Sequence, residues 1–151
     1  ELIERAAEVR PEDYQSLLLL RQLYHGKGDH DRELEVSRQG IERARAVLEL
    51  NPDDNRAWNM GAFALFRLGQ REEGDRWMQT AMDKAPNDSI VLYNAACYYA
   101  LVGEVEKSLD CLENCHFRVG GLNREWLMHD PDLDNVRDLP RFADLLAAFP
   151  G

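Results

Sequence analysis

The chain has 151 residues, 44% of them hydrophobic and 30% charged, which suffices for one globular domain with a core of its own. Its 28 acidic against 18 basic residues give a formal net charge of −10, which disfavours a nucleic-acid backbone or an anionic membrane surface as partner and leaves a basic or mixed peptide compatible. Strand signals are nearly absent and no apolar run approaches the ~20 residues of a membrane-crossing helix, so an all-α chain that spans no membrane is expected. Three cysteines, Cys97, Cys111 and Cys115, are odd in number and too few for a disulfide framework, which predicts a reducing, cytoplasmic setting.

Residues 1–10 place Leu2, Ile3, Ala6, Ala7 and Val9 on a helical stripe that Pro11 ends. The segment reads as the second helix of a pair whose first helix has been cut away, so the chain is expected to be a fragment. Its bare apolar face predicts a cap upstream or self-association through that face. A helix follows over residues 14–25, with Leu17, Leu20, Leu23 and Tyr24 inward, and Gly26, Lys27 and Gly28 break it. One long helix over 31–50 carries Leu34, Ile41, Ala44, Val47 and Leu48. From Pro11 to Pro52 is seven residues more than the spacing that follows, about two helical turns. The extra turns are placed between residues 31 and 40 as an exposed, charged ridge, and Gly40 is expected to mark close packing.

Residues 55–68 and 71–84 form the next two helices. The first carries Trp58, Ala62, Leu65 and Phe66, and the second Trp77, Met78, Ala81 and Met82, each set on one face. Pro52 and Pro86 bound this unit, 34 residues apart. Asp88 or Ser89 then caps a helix through Leu101, Gly103 turns it, and residues 104–117 form its partner. Gly120 stands where the next Pro would fall, which ends the regular array. The tail reads as a short helix over 123–128, an acidic turn over 129–134, and a last helix over 138–149 with Pro140 in its first turn. Trp126, Leu127, Leu133, Val136, Phe142 and Leu145 are expected to cover the final apolar face.

A period of 34 residues enclosing a helix–turn–helix resembles the tetratricopeptide repeat. The residues that carry the likeness are Trp58, Gly61, Ala62, Leu65, Gly74, Met78, Ala81 and Pro86. They recur as Leu92, Ala95, Ala96, Tyr99, Ser108, Leu112 and Cys115, and across the insertion as Leu17, Leu20, Arg21, Tyr24, Gly40, Ala44, Val47 and Pro52. The resemblance implies an all-α, right-handed α-solenoid of three helix pairs with a C-terminal helical cap. Its parts would be a leftover helix (1–10), a repeat with a two-turn insertion (12–52), a regular repeat (53–86), a last repeat (87–120) and the cap (121–151). The last repeat and cap also look similar to the end of tetratricopeptide arrays in bacterial multidomain signalling proteins, where a nucleotide-cyclase or protein-kinase domain precedes them.

The family's working surface is the concave face lined by the first helix of each pair. By that resemblance its residues here are Gln22, Arg56, Asn59, Phe63, Arg67, Tyr93, Asn94 and Cys97, beside Gln15, Leu18, Met60 and Ile90. Asn59, Asn94 and Arg56 can hold a peptide backbone or carboxylate, and Phe63 and Tyr93 offer apolar contact. One subtype clamps acidic chaperone tails with basic residues. The matching positions Leu18, Gln22, Met60, Ile90 and Asn94 include no Lys or Arg, so that ligand is not expected. The resemblance implies a module that binds a protein or peptide in its groove, or else an intramolecular regulator of an attached signalling enzyme.

No catalytic constellation, phosphate loop or metalloprotease motif is present, and neither enzyme activity nor a cofactor is expected. Cys111 and Cys115 lie one turn apart near Cys97, yet His116 points about 100° away from Cys115, so no zinc site is expected. His25, Asp29, His30 and Asp31 read as a solvated loop. Asp130, Asp132 and Asp134 lack the glycine and spaced glutamate of an ion-binding loop and read as helix caps.

Overall fold

A computed structural model describes Arg5 and residues 13–149. The helix expected over residues 1–10, and the self-association assigned to its face, lie outside the described residues apart from Arg5. Among the described residues every element is helical and none is a strand. The chain forms two compact units, Glu1–Lys84 and Ala85–Gly151.

The first unit holds two helix pairs: α1 (Tyr14–Gly26) with α2 (His30–Leu50), and α3 (Asn55–Arg67) with α4 (Arg71–Lys84). Aspartate starts three of these helices. The side chains of Asp13, Asp29 and Asp54 accept from the backbone N–H groups of Gln15, Arg32 and Ala57 at 2.9, 3.2 and 3.1 Å. Each such cap satisfies an otherwise unpaired amide and stabilises its helix by about 1 kcal/mol. Asp54 also accepts from the Tyr14 hydroxyl at 3.0 Å, which ties the start of α1 to the start of α3.

The turn inside each pair is the same device. Gly28 and Gly69 take φ of 70° and 76°, which an L side chain resists. The next amide then reaches back to the helix it has left: Asp29 N–H to the Tyr24 carbonyl, and Gln70 N–H to the Leu65 carbonyl, both at 2.9 Å. The second unit repeats the device at Gly103 (φ 83°), where Glu104 N–H donates to the Tyr99 carbonyl at 2.8 Å.

Close packing of each pair rests on one small residue. A Cβ on Gly40 would lie 2.6 Å from Leu18 Cδ2, and a Cβ on Gly61 would lie 2.3 Å from Trp77 Cζ3. Trp77 in turn meets Trp58 edge to face at 5.0 Å. Leu18 is therefore core, 1% exposed, and not the groove-lining residue that the family pattern suggested.

The N-terminal turns of α2 depart from the expected exposed ridge. Asp31, Arg32, Glu35, Arg38 and Gln39 are exposed, but Glu33 and Ser37 are wholly buried. Val36 packs against the cluster of Leu17, Leu20 and Tyr24. The ridge has an inner face, and a carboxylate sits on it.

In the second unit, α5 (Ser89–Leu101) starts at Asp88, whose side chain accepts from Ile90 and Val91 N–H at 2.8 and 3.1 Å. The helix is apolar nearly all round, and from Val91 to Ala100 only Asn94 is not buried. Its partner α6 (Val105–Asn114) meets it at Ser108, whose hydroxyl donates to the Ala96 carbonyl at 2.7 Å. The helix expected through residue 117 instead widens into a π turn, Cys115–Val119, and ends at Gly120 with φ 74°. The Cys115 thiol donates to the Ser89 carbonyl at 3.5 Å.

The tail folds back over this pair as α7 (Arg124–His129), a 3-10 turn (Pro131–Leu133), α8 (Asp134–Arg137) and α9 (Pro140–Ala147). Leu127, Leu133, Val136 and Phe142 are fully buried and Leu145 is 2% exposed; Trp126, expected in the same cover, is 52% exposed. Polar ties set the tail's register. Asn135 donates to the Ala100 carbonyl at 3.0 Å. Arg141 spans Glu106, Asp110 and Glu113 of α6 at 2.6, 2.8 and 2.8 Å, which raises its already high pKa through hydrogen bonds to Glu113 and Asp110.

Gly61→Ala is expected to lower the unfolding free energy by about 1–3 kcal/mol, because the rigid Trp77 ring cannot yield to a Cβ as a flexible side chain could. Gly26→Ala, where nothing lies within 4 Å, should not destabilise. Urea denaturation of both variants checks the pair.

Candidate functional site

In the first unit the expected groove residues fall into two groups. Gln22 and Arg56 are exposed, and Arg56 Nη1 donates to Gln15 Oε1 at 3.0 Å. Phe63 is half-buried under the Arg21 guanidinium, 5.9 Å from the ring centroid. Asn59, by contrast, is 5% exposed. Arg67 is committed to Glu33: its Nε lies 2.7 Å from Oε1 and its Nη2 3.1 Å from Oε2.

Glu33 gathers more than Arg67. His25 Nδ1 and His30 Nδ1 lie 3.2 and 3.3 Å from its oxygens, and Arg21 Nη1 lies at 3.9 Å. Burial by itself would raise the Glu33 pKa. Hydrogen bonds from Arg67, His30 and His25 outweigh it and hold the carboxyl down at about 2, from an ordinary 4.5. The residues read from sequence as a solvated glycine-turn loop thus turn two exposed histidines toward a buried carboxylate.

The second unit brings the other expected residues to the tail. Tyr93 is 8% exposed and its hydroxyl donates to Asp130 Oδ2 at 2.7 Å. The Cys97 thiol donates to the same oxygen at 3.8 Å, and Asp130 Oδ1 accepts from Asp132 N–H at 3.0 Å. One carboxylate therefore fastens the 3-10 turn to α5. Burial first, then the hydrogen bond to Asp130, pushes the Tyr93 phenol well above its ordinary pKa. Burial and the charges of Asp130 and Asp132 push the Cys97 thiol up as well. Both groups stay protonated as donors. Cys97, Asp130 and Asp132 have ligand atoms within 4.8 Å of one another, a trio that the sequence reading did not assemble. Within this trio the Cys97 thiol and the Asp132 backbone N–H both donate to the Asp130 carboxylate. Burial likewise holds the Cys111 thiol up at about 12, and the three cysteines are free and buried.

Beside this anchor lies a groove of about 580 Å³. Ile90, Tyr93 and Asn94 of α5 line it together with Glu125, Trp126 and His129 of α7, and Asp130 and Pro131 complete it. The start of α7 is set by Asn123, which accepts from Glu125 and Trp126 N–H at 2.8 and 3.3 Å. The Tyr93 and Trp126 rings lie 5.4 Å apart and are tilted by 53°. Ile90 is 64% exposed, and Glu125 faces His129 at 3.5 Å on the open side. Of the groove's lining, sequence reasoning named Tyr93 and Asn94 as binding residues and Ile90 beside them. It missed the contribution of Glu125, Trp126, His129, Asp130 and Pro131, because no local pattern links Tyr93 to a residue 37 positions away.

Three helix pairs with matching glycine turns, small residues at the helix contacts and a helical tail define an all-α protein of tetratricopeptide-like helix pairs. Over 72 residues the chain is 32% identical to Interferon-induced protein with tetratricopeptide repeats 3 of Mus musculus, a match that covers 48% of this chain and 18% of that relative. The chain thus covers less than a fifth of the relative's length. No family model matches the chain. No helix among the described residues is long and apolar enough to cross a membrane.

The Glu33 cluster makes a signed prediction. A carboxylate whose folded pKa lies below its unfolded value contributes stability that is present above pH 4.5 and is lost as pH falls toward 2. The native chain should lose about 3 kcal/mol more over that interval than Glu33→Gln, whose stability starts lower at neutral pH. Urea titrations at pH 7, 4.5 and 2.5 measure the difference.

Proposed function

We propose that the chain is a protein–protein interaction module and that the groove of its second unit takes a segment of a partner protein. One observation supports this reading above the rest: Ile90 and Trp126, large apolar side chains that the fold leaves exposed, converge with Tyr93 on a single groove edged by Asn94. Trp126 supplies rigid apolar area, and the Asn94 amide can pair with a peptide backbone. In the first unit, Gln22, Arg56 and Phe63 are the accessible members of the expected face and make a contact surface of their own. Asn59 and Cys97, being buried, and Arg67, being held by Glu33, serve as supports in this reading. The similarity to a protein with tetratricopeptide repeats is compatible with a protein partner.

The reading assigns no catalysis and no cofactor to this chain, and three buried free thiols suit a reducing, cytoplasmic setting. A regulatory segment of a signalling enzyme would use the same groove on a domain of its own protein.

The test is capture of peptides from a displayed random library by the whole chain. Trp126→Ala should weaken the captured peptides about 30-fold, the ~2 kcal/mol of an interface anchor, and Asn94→Ala several-fold. Circular dichroism of both variants should be unchanged, since neither side chain is buried. Capture that survives Trp126→Ala and Asn94→Ala together would place binding elsewhere and end this reading.

A further inference from the structure

We infer that the groove between α5 and α7 takes an arginine side chain from a net-positive partner peptide. The inference rests on the reading of this groove as a peptide site and adds the chemistry of its occupant. Two carboxylates, Glu125 and Asp130, stand among the lining residues, and no Lys or Arg does. Glu125 is 73% exposed at the mouth, so its oxygens are available to a ligand. Asp130 Oδ2 accepts from the Tyr93 hydroxyl and the Cys97 thiol, whereas Oδ1 accepts from Asp132 N–H and keeps a lone pair for a ligand.

The aromatic wall agrees with the charges. Tyr93 and Trp126, 5.4 Å apart and tilted by 53°, give the groove aromatic surface. The faces of such rings attract cations and repel carboxylates. Ile90 and Pro131 add apolar surface that suits the methylene stem of a long basic side chain. A guanidinium fits this combination better than an ammonium, because it stacks flat on an indole while its fork grips a carboxylate.

Among the described residues no Lys or Arg lines the groove. Arg137, close to Asp130 in the fold, donates to the carbonyls of Leu127, Met128 and Asp130 and to the Asp134 carboxylate, so its guanidinium caps the end of α7. His129 at 3.5 Å from Glu125 is a side chain that an arriving guanidinium would displace. A net charge of −10 steers a basic peptide toward the chain and an acidic one away from it. An acidic peptide would meet two carboxylates here.

The experiment uses the whole chain and a displayed random peptide library. Binders that depend on Trp126 are expected to share an arginine beside an apolar residue. In synthetic copies, arginine→citrulline keeps the shape, removes the charge, and should weaken binding at least tenfold. Lysine in its place should weaken binding several-fold. Glu125→Gln in the chain should weaken the arginine peptide about fivefold and leave the citrulline peptide unchanged. Because the Glu125 side chain is exposed and meets His129 alone among the described residues, this variant should fold normally. Trp126→Phe, which keeps an aromatic face, should retain most of the affinity that Trp126→Ala loses. Trp126-dependent binders without a basic residue, or citrulline copies that bind equally well, would overturn the arginine assignment and leave the peptide groove standing. Lysine copies as tight as arginine would overturn the guanidinium preference. A library that yields no Trp126-dependent binder would overturn both the groove and its ligand.

Discussion

Each helix pair depends on a point where two helices come closer than ordinary side chains allow. In the first pair Gly40 leaves room for Leu18, and in the second Gly61 leaves room for the face of Trp77. The third pair uses no glycine: Ser108 closes the gap and hydrogen-bonds the Ala96 carbonyl across it. Gly40, Gly74 and Ser108 stand one 34-residue period apart, and all three are buried. A larger residue at such a point would push the helices apart and uncover the aromatic and aliphatic side chains around it. The turns can then be short because the helices they join already touch. This is why the glycine at each turn has one conformation to adopt and one carbonyl to return to.

The inserted turns of α2 bring a second constraint. They extend α2 to 21 residues against 14 in α4. Extra turns with Asp31, Arg32, Glu33, Glu35 and Arg38 look solvated in sequence, because charge is the usual mark of an outer face. Helical periodicity decides otherwise. Glu33, Ser37, Gly40, Ile41, Ala44 and Leu48 share one buried face, with the apolar stripe continued by a glutamate and a serine. Burying an isolated carboxylate would be prohibitive, but Arg67 reaches it with two hydrogen bonds, and His25, His30 and Arg21 surround it. An arginine that the repeat pattern assigns to the binding face is thereby turned into a structural partner of the insertion. The two departures from expectation, at Glu33 and at Arg67, have a single cause.

Local features of the chain were readable and long-range ones were not. The described helices over residues 14–84 follow from apolar spacing, aspartate caps and glycine stops, and lie within a residue or so of where those signals put them. Tail residues such as Leu127, Leu133, Val136, Phe142 and Leu145 could be recognised as cover because apolar side chains near the end of an array have few other places to go. Trp126 belongs to the same set by composition, yet half of it faces solvent. What separates it from Leu127 is its position on α7, one residue around a helix whose start Asn123 fixes. Composition cannot express that difference. Likewise Tyr93 and Asn94 were found by their register in the repeat, whereas the opposite wall of their groove required knowing that the tail returns to α5.

The anchor at Asp130 explains why a groove exists there at all. The Tyr93–Asp130 hydrogen bond at 2.7 Å and the Asn135–Ala100 bond at 3.0 Å hold the tail at two points. Arg137 stiffens the corner between them by gathering the carbonyls at the end of α7. Tyr93 is thus a wall of the groove and also the bolt that keeps the opposite wall in place. A ligand entering the proposed site would meet walls already tied together, so less of the contact energy would be spent on immobilising loops and side chains. The phenol and thiol that donate to Asp130 fasten the turn-rich tail to α5, and with it the second wall of the groove.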